Sequence, residues 1–201
     1  MIQRNDKTLK TIVWDVDDVL NELMKNWFEL YWLSDNPACK ITYDNISENP
    51  PHQILGMNKQ AYLDSLDQFR QSEHAVNMKP VPALIEWFKV NGGNFHHIAL
   101  TASPLRSASK SSEWVFRHFG AWIRSFNFVP SMRIHENIPA FHNTKADFLR
   151  WWQQADIFVD DNPVNLAGAE TLGIQTVCIP QPWNSSKHTL AETLEGLANL
   201  R

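Results

Sequence analysis

The sequence predicts an α/β fold built on a mainly parallel sheet. Three observations lead there. Short apolar runs of strand length alternate along the chain with segments of helical periodicity. Several helical segments open on a capping residue or a proline, and two close on glycine. No repeat or low-complexity tract interrupts the alternation.

The first predicted strand covers residues 11–16, TIVWDV. The stretch LNELMKNWFELYWL that follows reads as a long aromatic helix. It sets Trp27 with Tyr31 and Phe28 with Trp32 at helical spacing, a pattern expected of packed rings. A Pro- and Asn-rich loop leads to a helix near 59–72. Pro82 opens the next helix, which stops at Gly92-Gly93. The second strand is 95–101, FHHIALT, followed by Ser103 as N-cap and Pro104 as first residue of a helix reaching Gly120. A weaker third strand lies at 126–129, FNFV. Thr144 and Asp147 form a capping-box pair for a helix over 145–154. The fourth strand is 156–160, DIFVD, and Asn162-Pro163 starts a helix over 163–171. The fifth strand is 174–179, IQTVCI.

The spacing is uneven in one place. About 65 residues separate the first strand from the helix at Pro82, more than a βα crossover needs. Residues 21–78 are therefore expected to form a small helical cap over the sheet edge. Residues 1–20 and 79–201 are expected to form the core.

The 201 residues suit one domain or one core with an inserted module. A net charge of −4 gives no sign of a nucleic-acid polymer or membrane surface as partner. The opening MIQRNDKTLK is polar, and the apolar run after it is too short for a signal segment or membrane span. A soluble, cytoplasmic protein is the expectation. Cys39 and Cys178 lie far apart with no Cys-x-x-Cys pair, so reduced thiols are expected rather than zinc ligands. His96 and His97 would point to opposite faces of a strand and are expected to be structural.

The chemistry is expected at the carboxyl ends of the strands, where open α/β sheets bind ligands. Asp15 and Asp17 end the first strand, Thr101 ends the second, and Asp160 and Asp161 end the fourth. Lys145 opens a helix that can face the same crevice. Each is ordinary alone: an Asp-x-Asp is commonly a turn, a lone Lys is commonly solvated. The ordered set is what points to a site. Carboxylates so close repel one another unless a hard cation sits among them, and Mg²⁺ favours oxygen ligands. A phosphate would complete its shell, with Lys145 and the Thr101 hydroxyl on the remaining phosphate oxygens.

In this ordered set the chain resembles the haloacid dehalogenase-like (HAD) hydrolase superfamily. WDVDDVL, IALTAS, NTKADF and IFVDDNPVN match its four motifs in order. The resemblance implies a three-layer Rossmann-like sandwich with a cap after the first strand. It implies a Mg²⁺-dependent phosphatase acting on a small phosphorylated substrate through a phospho-aspartate. Asp15 would be the nucleophile and Asp17 the general acid, then base. Thr101, Ala102 and Lys145 would hold the phosphate. The metal site would comprise Asp15, Asp17 (by its backbone carbonyl), Asp160 and Asp161, the last through water or as orienter of Lys145. Asn165 would add an outer contact. Neighbouring carboxylates and partial burial are expected to help Asp17 keep its proton. Most members carry Gly where this chain has Asp18, which is expected to be a turn or cap residue.

TASPLRS with VFRHFG is also similar to the deoxyribonucleotidase family. This makes a nucleoside 5′-monophosphate the leading substrate, stacked on an aromatic ring of the cap, with Arg106 in reach of a polar substrate group. Sugar or small-acid phosphates are the alternative. A dehalogenase would need neither Asp17 nor the metal. A phospho-accepting receiver domain carries its acidic pair first, the reverse of the order here. A catalytically silent binding protein remains the non-enzymatic reading, because Asp18 replaces the usual Gly.

Overall fold

The computed structural model describes residues 9–134, 136–139 and 141–201; residues 1–8 of the expected core lie outside them. The strands are β1 (Thr11–Trp14), β2 (His96–Ser103), β3 (Phe126–Pro130), β4 (Ile157–Asp160) and β5 (Gln175–Cys178). Among the described residues they form one five-stranded sheet in the order β3-β2-β1-β4-β5, with every pairing parallel. The helices are α1 (Leu23–Trp27), α2 (Leu33–Asp35), α3 (Lys59–Gln71), α4 (Glu73–Val76), α5 (Pro82–Asn91), α6 (Leu105–Phe119), α7 (Lys145–Trp152), α8 (Pro163–Glu170) and α9 (Leu190–Ala198).

Alternation along the central strands makes the sheet two-sided. Ile12 and Trp14 of β1 and Ile157 and Val159 of β4 enter one apolar cluster with Leu84, Phe88, Val115 and Leu194 of α5, α6 and α9. Val13 and Phe158 face the other way and pack with Phe148 and Leu166 of α7 and α8. The result is three layers, helix on sheet on helix.

Trp14 anchors the first layer. It is fully buried, 5.5 Å from the Trp87 ring and 4.9 Å from Phe88. Its indole N–H donates to Nδ1 of His97 at 3.0 Å, and Nε2 of His97 lies 2.9 Å from the carbonyl of Gly92. These partners assign the ring as neutral with its proton on Nε2. His97 is thus structural, while His96 points outward. Gly92 ends α5 in a right-handed conformation, so its role is space: a Cβ there would meet Trp122 at 2.6 Å.

The boundaries differ from expectation where tertiary pairing extends or cuts an element. β2 runs on to Ser103 by pairing Ser103 with Pro130. Pro104 becomes the N-cap of α6, and Ser103 is a buried strand residue rather than a cap. Thr144 caps α7 as a full capping box with Asp147, and Asn162 caps α8 by accepting from Val164 N.

Residues 21–78 are helices and loops with an apolar cluster of their own, including Met24, Trp27, Phe28, Ile46, Tyr62 and Phe69. The long aromatic helix is not continuous. A π-helical turn, Phe28–Trp32, separates α1 from α2. It moves Trp27 beside Trp32, five residues on, at 6.0 Å between ring centroids. Cys39 and Cys178 are free, and no described helix is long and apolar enough to cross a membrane.

Burial pushes the His97 imidazole down to about 4, against the helping contact from Gly92. A lowered histidine stabilises the fold above its unfolded-state value, and that stability is lost as pH falls toward the folded value. His97→Gln keeps an acceptor and a donor but cannot take up a proton. Urea unfolding of both proteins should show the parent losing about 3 kcal/mol more than the variant between pH 7 and pH 4. Parallel losses would show that His97 does not titrate in this window.

Candidate active site

Register brings the acidic residues together. Trp14 is level with Val159 on β4 and with Ala99 on β2. One residue further, Asp15 stands beside Asp160, and its N–H donates to the Val159 carbonyl at 2.9 Å. Connections run outward from β1 to β2 and β3, then return to β4 on the opposite side. The β1/β4 junction is therefore the point where strand order reverses, and crevices for ligands open there in such sheets.

Lys145 is wedged into this junction. It is the first residue of α7, fixed by the Thr144 cap, and only 3% exposed. Its Nζ lies 2.7 Å from Oδ1 of Asp15 and 2.7 Å from Oδ2 of Asp160. Asp160 is saturated with donors: Oδ1 accepts from Asn162 N and both oxygens accept from Asn165 Nδ2 at 3.2 Å. Asp15 Oδ1 also accepts from Val16 N at 2.7 Å, and Asp15 Oδ2 has no donor among the described residues. Asp161 Oδ2 accepts from the Trp183 indole at 2.7 Å. Of the acidic pair ending β4, it is Asp160 that joins Asp15 in contact with Lys145, and not Asp161, one of whose expected roles was to orient that lysine.

Asp15, Asp160 and Asp161 are all buried, and each offers an oxygen within 4.8 Å of the others. Burial pushes Asp15 well above the usual carboxylate range; Lys145 opposes this, and Asp160 and Asp161 add to it. Burial and then Asp160 push Asp161 up to about 7. Burial would lower Lys145, but Asp15 and Asp160 outweigh it and hold the ammonium charged. An all-oxygen set whose ionisation is opposed by burial and mutual repulsion is the donor set a hard divalent cation suits.

The turn after β1 is built by side chains. Asp18 has φ of 61°, in the left-handed region where Asp is better tolerated than most residues. Its Oδ1 caps α1 by accepting from Met24 N at 2.7 Å, and its N–H donates to Asn21 Oδ1. Asp18 thus occupies the turn and cap position expected of it. Asp17 meets a cation as well as its neighbouring carboxylates: Oδ2 lies 2.9 Å from the Arg70 guanidinium of α3.

Asp15, Asp17, Thr101, Ala102, Lys145 and Asp161 line one cavity of about 150 Å³, with Asn165 also on its wall. Asp160 is fully buried and contributes through Lys145. From residues 21–78, Leu23, Met24, Asn49, Tyr62, Leu66 and Arg70 line the same cavity. None of Trp27, Phe28, Tyr31 or Trp32 lines it; Trp27 and Phe28 are fully buried in the cap. Arg106 turns to the buried Asp67 of α3, which also receives Arg133 and Arg70. Sequence reasoning missed Arg70, Asp67 and Arg133. Asp67 and Arg70 stand three residues apart on α3, but their other partners, Arg133 and Asp17, lie 66 and 53 residues away, so no sequence spacing marks the group. Sequence reasoning also missed Trp183, one of nine tryptophans, in a loop without periodicity.

No family model matches the sequence, and no curated protein matches it. Solved structures do match the fold. A haloacid dehalogenase-like hydrolase from Streptococcus pneumoniae superposes with a TM-score of 0.63 at 13% identity, covering 96% of this chain and 99% of that one. A structure described as a predicted phosphatase from Clostridium acetobutylicum gives 0.59 at 12%, covering 96% and 97%. A Bacillus subtilis structure described as a HAD-hydrolase bound to magnesium gives 0.57 at 12%, covering 96% and 100%. The likeness to deoxyribonucleotidases rests on the sequence alone. At these identities the likenesses establish architecture, and the chain has the Rossmann-type α/β fold of HAD-like hydrolases.

Proposed function

We propose that the protein is a Mg²⁺-dependent phosphatase that hydrolyses a small phosphate monoester through a phospho-aspartate. The observation that carries this is Lys145, buried between Asp15 and Asp160 with Asp161 alongside.

Asp15 is the nucleophile. Lys145 and Val16 N hold Oδ1, which leaves Oδ2 to attack phosphorus. The Thr101 hydroxyl and the Lys145 ammonium stabilise charge on the transferring oxygens. The cation would be held by Asp15, Asp161 and the backbone carbonyl of Asp17. We give Asp161 the direct role and Asp160 the orienting one, because both Asp160 oxygens already accept from protein donors. Bound there, Mg²⁺ supplies the charge that lets an anionic nucleophile approach an anionic phosphate. Asp17 protonates the leaving oxygen and then takes a proton from water. Arg70, 2.9 Å from Oδ2, holds the Asp17 carboxylate at the cavity wall.

Compact sugar or small-acid phosphates rank ahead of nucleotides in this reading. The case for a nucleoside monophosphate needs an aromatic ring to stack the base, and the aromatic residues of α1 and the π turn do not line the cavity. Its wall from residues 21–78 is aliphatic at Leu23, Met24 and Leu66 and polar at Asn49, Tyr62 and Arg70, with Arg70 the one cation among them. A kcat/KM for deoxynucleoside monophosphates well above that for compact phosphates would restore the nucleotidase reading.

Hydrolysis of a generic aryl phosphate should disappear with chelator and return with Mg²⁺; full activity in chelator would rule out the metal-dependent reading. The three aspartates should also separate. Asp15→Asn should abolish turnover and the trapping of beryllium fluoride as a phospho-aspartate mimic. Asp17→Asn should slow kcat by about 10²–10⁴-fold while leaving phosphate binding intact. Asp18→Gly should be mild, because glycine tolerates φ near 61° and only a cap is lost. If Asp18→Gly damages turnover as much as Asp15→Asn, the division of labour is wrong.

A further inference from the structure

The loop after β5 makes a run of polar contacts that the proposed chemistry leaves unused. Trp183 Nε1 donates to Asp161 Oδ2 at 2.7 Å. Asn184 Nδ2 donates to the Asp161 backbone carbonyl at 2.8 Å and to the Ile179 carbonyl at 2.7 Å. Gln181 Nε2 donates to the Asp18 carbonyl at 2.6 Å, and Gln181 Oε1 accepts from the Tyr43 hydroxyl of the cap at 2.9 Å. One short segment therefore grips both the turn after β1 and the end of β4. The Trp183 ring also packs edge-on against Tyr43, at 6.2 Å and 87°. That packing fixes the indole plane and hence the direction of its N–H.

The two carboxylates at the end of β4 are held by different kinds of partner. Asp160 faces an ammonium, which neutralises it. Asp161 faces an indole, which is a donor only and carries no charge. A neutral donor can fix a carboxylate's rotation without cancelling the negative charge a cation needs. The χ2 torsion of aspartate is broad, so an unheld Asp161 would be free to turn among its neighbours. Partners of this kind, one step removed from a metal, orient its ligands and tune its affinity.

We propose that Trp183 is a positioning residue for the metal site: its indole N–H fixes Oδ2 of Asp161 so that the other oxygen is presented to the cation. This rests on the metal-dependent reading above. A merely structural indole would have taken Asp161 as a convenient acceptor, with no consequence for metal binding.

The test is a Mn²⁺ titration of the full chain without substrate, reading free Mn²⁺ by electron paramagnetic resonance. Trp183→Phe should weaken Mn²⁺ binding by about 10–100-fold, the usual effect of losing such a partner. With metal saturating, kcat should return close to the parental value, because Trp183 does not line the cavity. Benzothienylalanine at position 183 keeps the bicyclic shape and replaces the N–H with sulfur, so it should reproduce the loss even if Trp183→Phe folds poorly. Parental Mn²⁺ affinity in the benzothienyl protein would overturn the role of Trp183 and leave the phosphatase reading standing. A parent protein that binds no Mn²⁺ would overturn both.

Discussion

A lysine ammonium shared at 2.7 Å by two buried carboxylates is the constraint that the rest of the site obeys. Desolvating an ion costs several kcal/mol, and only close, well-satisfied pairing offsets it. Removing one partner would strand the others. One ammonium set against Asp15, Asp160 and Asp161 leaves two negative charges when all three are ionised. That is the charge of a single divalent cation. The repulsion that makes the acidic motif look improbable in sequence is thus the same quantity that makes a metal fit.

The sheet makes this arrangement possible at low cost in chain. Parallel pairing of β1 with β4 sets Asp15 and Asp160 side by side, and neither strand needs an irregular residue to do it. Lys145 comes from a different layer, delivered by the start of α7. Asn162 then caps α8 while its own N–H is tied to Asp160, so the helix start and the acidic pair hold one another.

Much of this was legible because it is local. Strands of four to eight residues, capping pairs and strand-end acids are written in consecutive letters, and topology alone carries them to one edge. Asp15, Thr101, Lys145 and Asp161 needed no long-range knowledge beyond the strand order. What was not legible depends on partners far apart in sequence. Asp67 gathers Arg106 from 39 residues away and Arg133 from 66. Trp183 reaches Asp161 across 22 residues, and Gln181 reaches Asp18 across 163. The aromatic helix misled for a subtler reason. A π turn changes which rings are neighbours without changing the letters, so Trp27 pairs with Trp32 and the expected spacing fails. The Arg70 partner of Asp17 was equally hidden, because it lies 53 residues on.

Residues 21–78 share their apolar cluster with the rest of the chain at Trp183, and meet it elsewhere through polar contacts. Arg106 and Arg133 reach Asp67, Lys110 donates to the Gln71 carbonyl, and Arg117 donates to the Val76 carbonyl. The charged part of this seam can trade its partners for water while exposing little apolar surface. Heat-capacity change and urea sensitivity both scale with the surface exposed, and the apolar part dominates the first. Loosening that part alone would therefore move urea sensitivity more than heat capacity. Ionic strength would be the variable that reports it, because added salt screens the charged pairs on the exposed side of the seam.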